Sequence, residues 1–140
     1  MVNEEEIEIL YNFCYGGWNI SKKAIELYKL RNPNYNVTEL DFVSFDYYYH
    51  RNDLILIQIY KELGHEFDGK YSKTKIKKIL KKYENYYDID EYDGKECVRI
   101  NYTKYKLDNI YNKIKEILQS NNNDNTKINE IEQFISAFEM

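Results

Sequence analysis

The chain reads as an α+β protein: a small, mainly antiparallel sheet with an Asp-Gly hairpin packed against helices, followed by two C-terminal amphipathic helices. Three observations predict it. Residues Glu6 to Tyr15 alternate at the two-residue period of a strand. Asp93-Gly94 stands between alternating flanks, a strong short-range signal for a two-residue hairpin turn. Beyond residue 102, apolar residues recur twice at helical spacing. The 140 residues are long enough to bury a core without disulfide or metal, and divide into a core domain over 1–102 and a helical extension over 103–140.

The first strand places Ile7, Ile9, Tyr11, Phe13 and Tyr15 on one face and Glu6, Glu8, Leu10, Asn12 and Cys14 on the other. After Gly16-Gly17, Ser21 is placed to cap a helix, with Ile20 reaching Ile25 as a hydrophobic staple. Ala24, Leu27, Tyr28 and Arg31 continue one helical face, and the helix ends before Pro33, which disfavours helical geometry at Asn32. Residues 34–50 hold no sustained period, and a short strand is expected near Asp41 to Phe45. Asn52 or Asp53 then caps a helix that Gly64 stops.

The Asp93-Gly94 turn sets a register: Tyr92 opposite Lys95, Glu91 opposite Glu96, Asp90 opposite Cys97, Ile89 opposite Val98, Asp88 opposite Arg99, Tyr87 opposite Ile100. Tyr87, Ile89, Val98 and Ile100 share the core face, and Asp88 pairs with Arg99 on the other. Leu107, Ile110, Tyr111, Ile114, Ile117 and Leu118 form one helical stripe, and Ile128, Ile131, Ile135 and Phe138 a second. The polar residues 120–127 between them keep a heptad phase, so one bent helix competes with two helices and a break. Asn favours turns and caps, and two helices are preferred.

Composition bounds the function. A net charge of −4 gives no global attraction to nucleic acid or membrane, and no apolar run approaches the roughly 20 residues of a membrane helix. A soluble, intracellular protein is expected. Sixteen tyrosines against one proline fit AT-rich coding, so aromatic abundance by itself carries little. Cys14 and Cys97 read as small buried hydrophobes, and His50 and His65 lack metal spacing. Neither cofactor nor metal is expected. Gly16-Gly17 lacks the remaining residues of a dinucleotide or P-loop motif and reads as a tight connection with Trp18 packed beside it. Glu91 facing Glu96 is unfavourable, and a cation, a basic partner or plain solvation would have to offset it.

Three stretches, "CYGGWNISKKAIEL", "RNDLILIQIYKELGHEFDG" and "IDEYDGKECV", together resemble a family of small uncharacterised proteins of phages and large DNA viruses. Its members commonly carry a Tyr-Gly-Gly-Phe loop before a Ser-capped helix, an Arg-Asp-Asp-Pro-like helix start ending in Glu-Leu-Gly, and a Glu-Tyr-Asp-Gly turn. The match spans roughly residues 6 to 100, and departs from the pattern at Trp18 (Phe in relatives), Leu54 (Pro) and Cys97 (Trp). The resemblance implies a shared α/β fold and a viral setting, and carries no established activity. It also implies that Trp18, Arg51, Asp53, Tyr92 and Asp93, which the three stretches supply, gather on one side of the domain as a partner surface.

Seven lysines lie between Lys70 and Lys82 with no acid among them. Ile76, Ile79, Leu80 and Tyr83 have helical spacing there, whereas the resemblance places a strand, and the strand is preferred because ordered stretches flank it on both sides. The function expected is a non-enzymatic viral protein that binds a protein partner, a second copy of itself included, through Ile128, Ile131, Ile135 and Phe138. The alternative is a nucleic-acid or phosphate binder using Lys73, Lys75, Lys77, Lys78, Lys81 and Lys82.

Overall fold

The computed structural model describes residues 4–33 and 51–137, so the strand expected near Asp41 to Phe45, together with His50 and Phe138, lies outside the described residues. The elements run in the order β1 (Glu6–Asn12), α1 (Lys22–Arg31), α2 (Leu54–Leu63), β2 (Thr74–Leu80), β3 (Tyr87–Tyr92), β4 (Lys95–Ile100), α3 (Tyr102–Leu118) and α4 (Asp124–Ser136). Short 3₁₀ turns at Gly64–Phe67 and Lys81–Tyr83 flank β2. The fold is α+β, and the chain divides into two compact units, 1–100 and 101–140.

In the first unit the strands form two antiparallel ribbons, β1 with β2 and β3 with β4. The lysine-rich stretch is strand: Glu6 to Asn12 pair in order with Leu80 back to Thr74. The helical spacing of Ile76, Ile79 and Leu80 is overridden because β1 presents a complementary apolar edge, with Leu10 opposite Ile76 and Ile7 opposite Ile79. This ribbon partitions the unit. One face gives Leu10 and Ile76 to a cluster with Trp18, Ile20, Ala24, Ile25, Tyr28, Leu56, Ile57, Ile59 and Phe67. The other gives Ile9, Ile79 and Ile7 to a cluster with Ile89, Tyr87, Val98 and Ile100 of the hairpin. Along the face Glu6, Glu8, Leu10, Asn12 the last two are fully buried, Leu10 against the helices and Asn12 against the hairpin turn.

Helix α1 starts where Ser21 accepts from the Ala24 N–H at 3.2 Å, and Asn32 caps its end. Ile20 and Ile25 share one cluster, as a staple requires. Arg31 points outward and pairs with Glu62 of α2, so the buried side of α1 is Ala24, Ile25 and Tyr28. Asp53 caps α2, one oxygen accepting from Ile55 N–H (2.8 Å) and Leu56 N–H (3.2 Å), while the Tyr28 hydroxyl donates to the other. The carboxylate thus starts one helix and ties it to its neighbour. Gly64 closes α2 at φ 58°.

Asp93 at φ 50° and Gly94 at φ 88° have the paired positive angles of a type I′ turn. All six hairpin pairs stand in the expected register. The charge pair does not follow the rungs: Arg99 Nε reaches diagonally to Asp90 at 2.8 Å, not straight across to Asp88. In the second unit, Asn101 and Asn123 cap two separate helices by accepting from Lys104 N–H and Thr126 N–H. The single bent helix is thereby excluded, and α4 begins at Asp124, inside the expected 120–127 break.

Candidate functional site

The three quoted stretches do converge, but in the interior. Arg51 and Glu96 form a bidentate ion pair, Nη1 to Oε1 at 2.6 Å and Nη2 to Oε2 at 2.8 Å, with side chains 0% and 1% exposed. The Trp18 ring lies 3.9 Å from the guanidinium carbon, a cation–π stack out of water. Trp18 Nε1 donates to Thr74 Oγ1 at 3.0 Å, and Thr74 donates in turn to Asp68, whose carboxylate also accepts from Thr74 N–H.

Backbone geometry explains why charge is held here. Phe13 N–H bonds the Lys73 carbonyl and Lys81 N–H the Glu5 carbonyl, so the odd residues of β1 face β2 and the even ones present their N–H and C=O to the opposite edge. On that edge Leu10 N–H donates to the Arg51 carbonyl at 2.7 Å. Leu10 C=O accepts from Arg51 Nη1 at 3.3 Å, and Asn12 N–H donates to Glu96 Oε1 at 2.7 Å. The ion pair stands where a third strand would be.

Asn12 completes the junction, donating from Nδ2 to the Gly94 and Cys14 carbonyls and accepting Lys73 N–H on Oδ1. The Gly16-Gly17 loop fits against the hairpin turn: a Cβ on Gly94 would fall 2.3 Å from Gly17 N and 2.6 Å from Gly16 N. Gly94 therefore serves close backbone approach, Gly16 does so toward the Tyr71 carbonyl, where a Cβ would fall 2.6 Å from the oxygen, and Gly17 is required by its φ of 82°. Glu91 does lie opposite Glu96, and the internal guanidinium of Arg51 takes up the Glu96 charge, while Glu91 turns to accept from Gly94 N–H at 2.9 Å. Burial pushes the nearby Tyr87 hydroxyl above the usual phenol range, against the opposing pull of the Arg51 charge.

Of the expected partner residues, Trp18 and Arg51 are buried and offer no surface, because the ion pair needs a dry environment and an aromatic lid. Asp53 is occupied as a helix cap. Tyr92 (79% exposed) and Asp93 stand in solvent at the hairpin tip. Ile128 and Ile135 are exposed and Ile131 is half-buried. Glu96, Asn12 and Gly94 complete the junction and were not among the expected site residues. The hairpin register held the signal, since it puts Glu96 on the same face as Val98 and Ile100.

The lysine run does not form one basic stripe, because a strand sends alternate residues to opposite faces. Lys75 and Lys77 stand beside Tyr11 and Ile9, whereas Lys78 stands beside Glu8 on the other face. Lys81 pairs with Glu5, and Lys82 lies over its neighbour Tyr83. Lys73, just before β2, is exposed. On the odd face, past the end of the inner cluster, Phe13 and Tyr15 emerge into solvent, and Phe13 carries two ammonium groups, Lys75 Nζ at 3.8 Å and Lys95 Nζ at 4.4 Å.

Cys14 is half-buried with its Sγ against the Tyr71 carbonyl, whereas Cys97 is exposed and not the buried hydrophobe expected. Among the described residues no three His, Cys, Asp or Glu side chains are grouped to hold a metal ion, and no helix is long and apolar enough to cross a membrane. Comparison of the chain with protein-family models, with curated proteins and with solved structures finds no match.

Proposed function

We propose that the protein is a non-enzymatic interaction module of a viral system that associates with a second copy of itself through its C-terminal helix pair. One observation carries this reading. Leu107, Tyr111 and Leu118 along α3, and Ile128 and Ile135 along α4, are each between 45% and 64% exposed. Among the described residues of this unit Ile117 is the one buried apolar side chain, so the helix pair leaves most of its apolar stripe uncovered. A two-helix unit is too short to bury such a stripe by itself, and pairing two identical hairpins about a twofold axis builds a four-helix bundle that covers both stripes.

Two carboxylates of the recognisable stretches are committed to structure, which favours a non-enzymatic role. Asp53 caps α2, and Glu96 is neutralised by Arg51. Light scattering on the full chain should give the mass of a dimer. Leu107→Asp with Ile128→Asp, or truncation after Ser120, should give monomer with the β-rich circular dichroism of the first unit retained. A wild-type monomer, or a dimer that survives truncation, would overturn the reading.

A further inference from the structure

We infer that the odd face of β1, where Tyr11, Phe13 and Tyr15 meet Lys75, Lys77 and Lys95, binds single-stranded nucleic acid. The three aromatics follow one another at every second residue, Tyr11 within β1 and Phe13 and Tyr15 in the loop that leaves it. Phe13 and Tyr15 are 40% and 62% exposed, and Tyr11 lies edge-on to Phe13 with ring centroids 6.4 Å apart. An ungrouped exposed tyrosine would mean little in this tyrosine-rich chain. Here, lysines from two different strands converge on the aromatics: Lys75 from β2, and Lys95 from β4, its Nζ 4.4 Å from Phe13 and 5.3 Å from Tyr15.

These ammonium groups are held by rings and not by acids. Among the described residues no carboxylate lies within ion-pair distance of Lys75, Lys77 or Lys95, whereas Lys23, Lys61 and Lys81 each have one. Beside Phe13 a cleft of about 330 Å³ opens between Tyr11, Lys77, Lys95, Cys97 and Val98. Glu96 also borders it, with its carboxylate taken up by Arg51. Flat π-faces interleaved with unpaired positive charge suit a strand whose bases are free to stack and whose phosphates run alongside. A duplex keeps its bases stacked on one another and cannot use the rings. An acidic peptide would use the lysines and leave the aromatic faces idle.

The test is fluorescence anisotropy of the full chain with a fluorescein-labelled thymidine oligomer of about 15 nucleotides, the upper range of one small binding surface. Binding should weaken with salt at a logarithmic slope of about −2, from about 0.7 for each of three phosphate contacts. Phe13→Leu should lose about 5- to 150-fold in affinity, the range for one stacked base. Lys75→Gln with Lys95→Gln should flatten the salt slope, while Lys23→Gln on α1 should change nothing. Thermal melts confirm that each variant is folded, and Tyr15→Leu supplies a second test of stacking should Phe13→Leu not fold. No binding at low salt would overturn the inference. So would binding indifferent to the loss of both aromatics, displacement by polyglutamate as effective as by unlabelled oligomer, or equal affinity for duplex.

Discussion

A guanidinium and a carboxylate taken out of water must each be repaid by geometry, and the Arg51–Glu96 pair shows how. Both bidentate contacts are made, Trp18 covers the cation, and the spare valences of the pair bond Leu10 and Asn12 of β1. Removing one partner strands the other, so Glu96→Gln or Arg51→Met should each lower unfolding free energy by about 3–5 kcal/mol, measured by urea denaturation. The double variant Arg51→Met, Glu96→Leu should fall well short of the sum of the single losses. Additive losses would mean that the two charges do not act as a unit. Trp18→Phe keeps a ring but loses the bond to Thr74 and should cost about 1 kcal/mol. Little of this was legible residue by residue: the turn register set Glu96 on the face of Val98 and Ile100, but the expected remedy for its charge was a cation, a basic partner or solvation, not a buried arginine. What composition and spacing lacked was the long-range partner. Arg51 is 45 residues away in sequence, and no local pattern distinguishes it from a solvated arginine preceding a helix cap.

Local chemistry decided the helix ends, the hairpin and the break before α4, and there the sequence was read correctly. Ser21, Asp53, Gly64 and Asp93-Gly94 each act within a few residues of themselves. Periodicity by itself points to a helix at Ile76, Ile79 and Leu80, whereas the strand preferred from the resemblance and the ordered flanks is the one that pairs with β1, and it splits the lysines between two faces. Asp53→Ala should cost about 0.5–2 kcal/mol as a lost cap, with a further loss because the Tyr28 hydroxyl forfeits its acceptor. The element contacts also set an alkaline limit. Tyr60 donates from α2 to the Thr74 carbonyl of β2, and burial together with the Asp68 charge raises its pKa, as burial raises that of Tyr87. The unfolded chain therefore ionises these phenols first. Stability is full below the ordinary tyrosine value of about 10 and declines as pH rises through it. Tyr60→Phe with Tyr87→Phe should flatten that decline in melts taken at increasing pH. On the acid side Arg31 holds Glu62 below the usual carboxylate range by a hydrogen bond, so their link between α1 and α2 persists at neutral pH and fades as pH falls through the lowered value.

For the molecule as a whole, the two units differ in how completely each satisfies itself. Unit 1–100 holds two apolar clusters on either side of one ribbon, and a fragment ending at Ile100 should unfold in a single cooperative transition by circular dichroism. A broad, non-cooperative melt would show that residues 101–140 supply part of its core. Amphipathic stripes announced the second unit from sequence alone, since helical spacing needs no partner to be read. The closed edge of β1 has a further consequence. An open row of N–H and C=O groups invites another chain to add itself, and here two charged side chains stand guard over that row instead of a neighbouring strand. Variants that break the pair should be sticky as well as weak. They should gather into β-rich aggregates at temperatures where the parent chain stays dispersed, with light scattering rising ahead of the loss of helix signal.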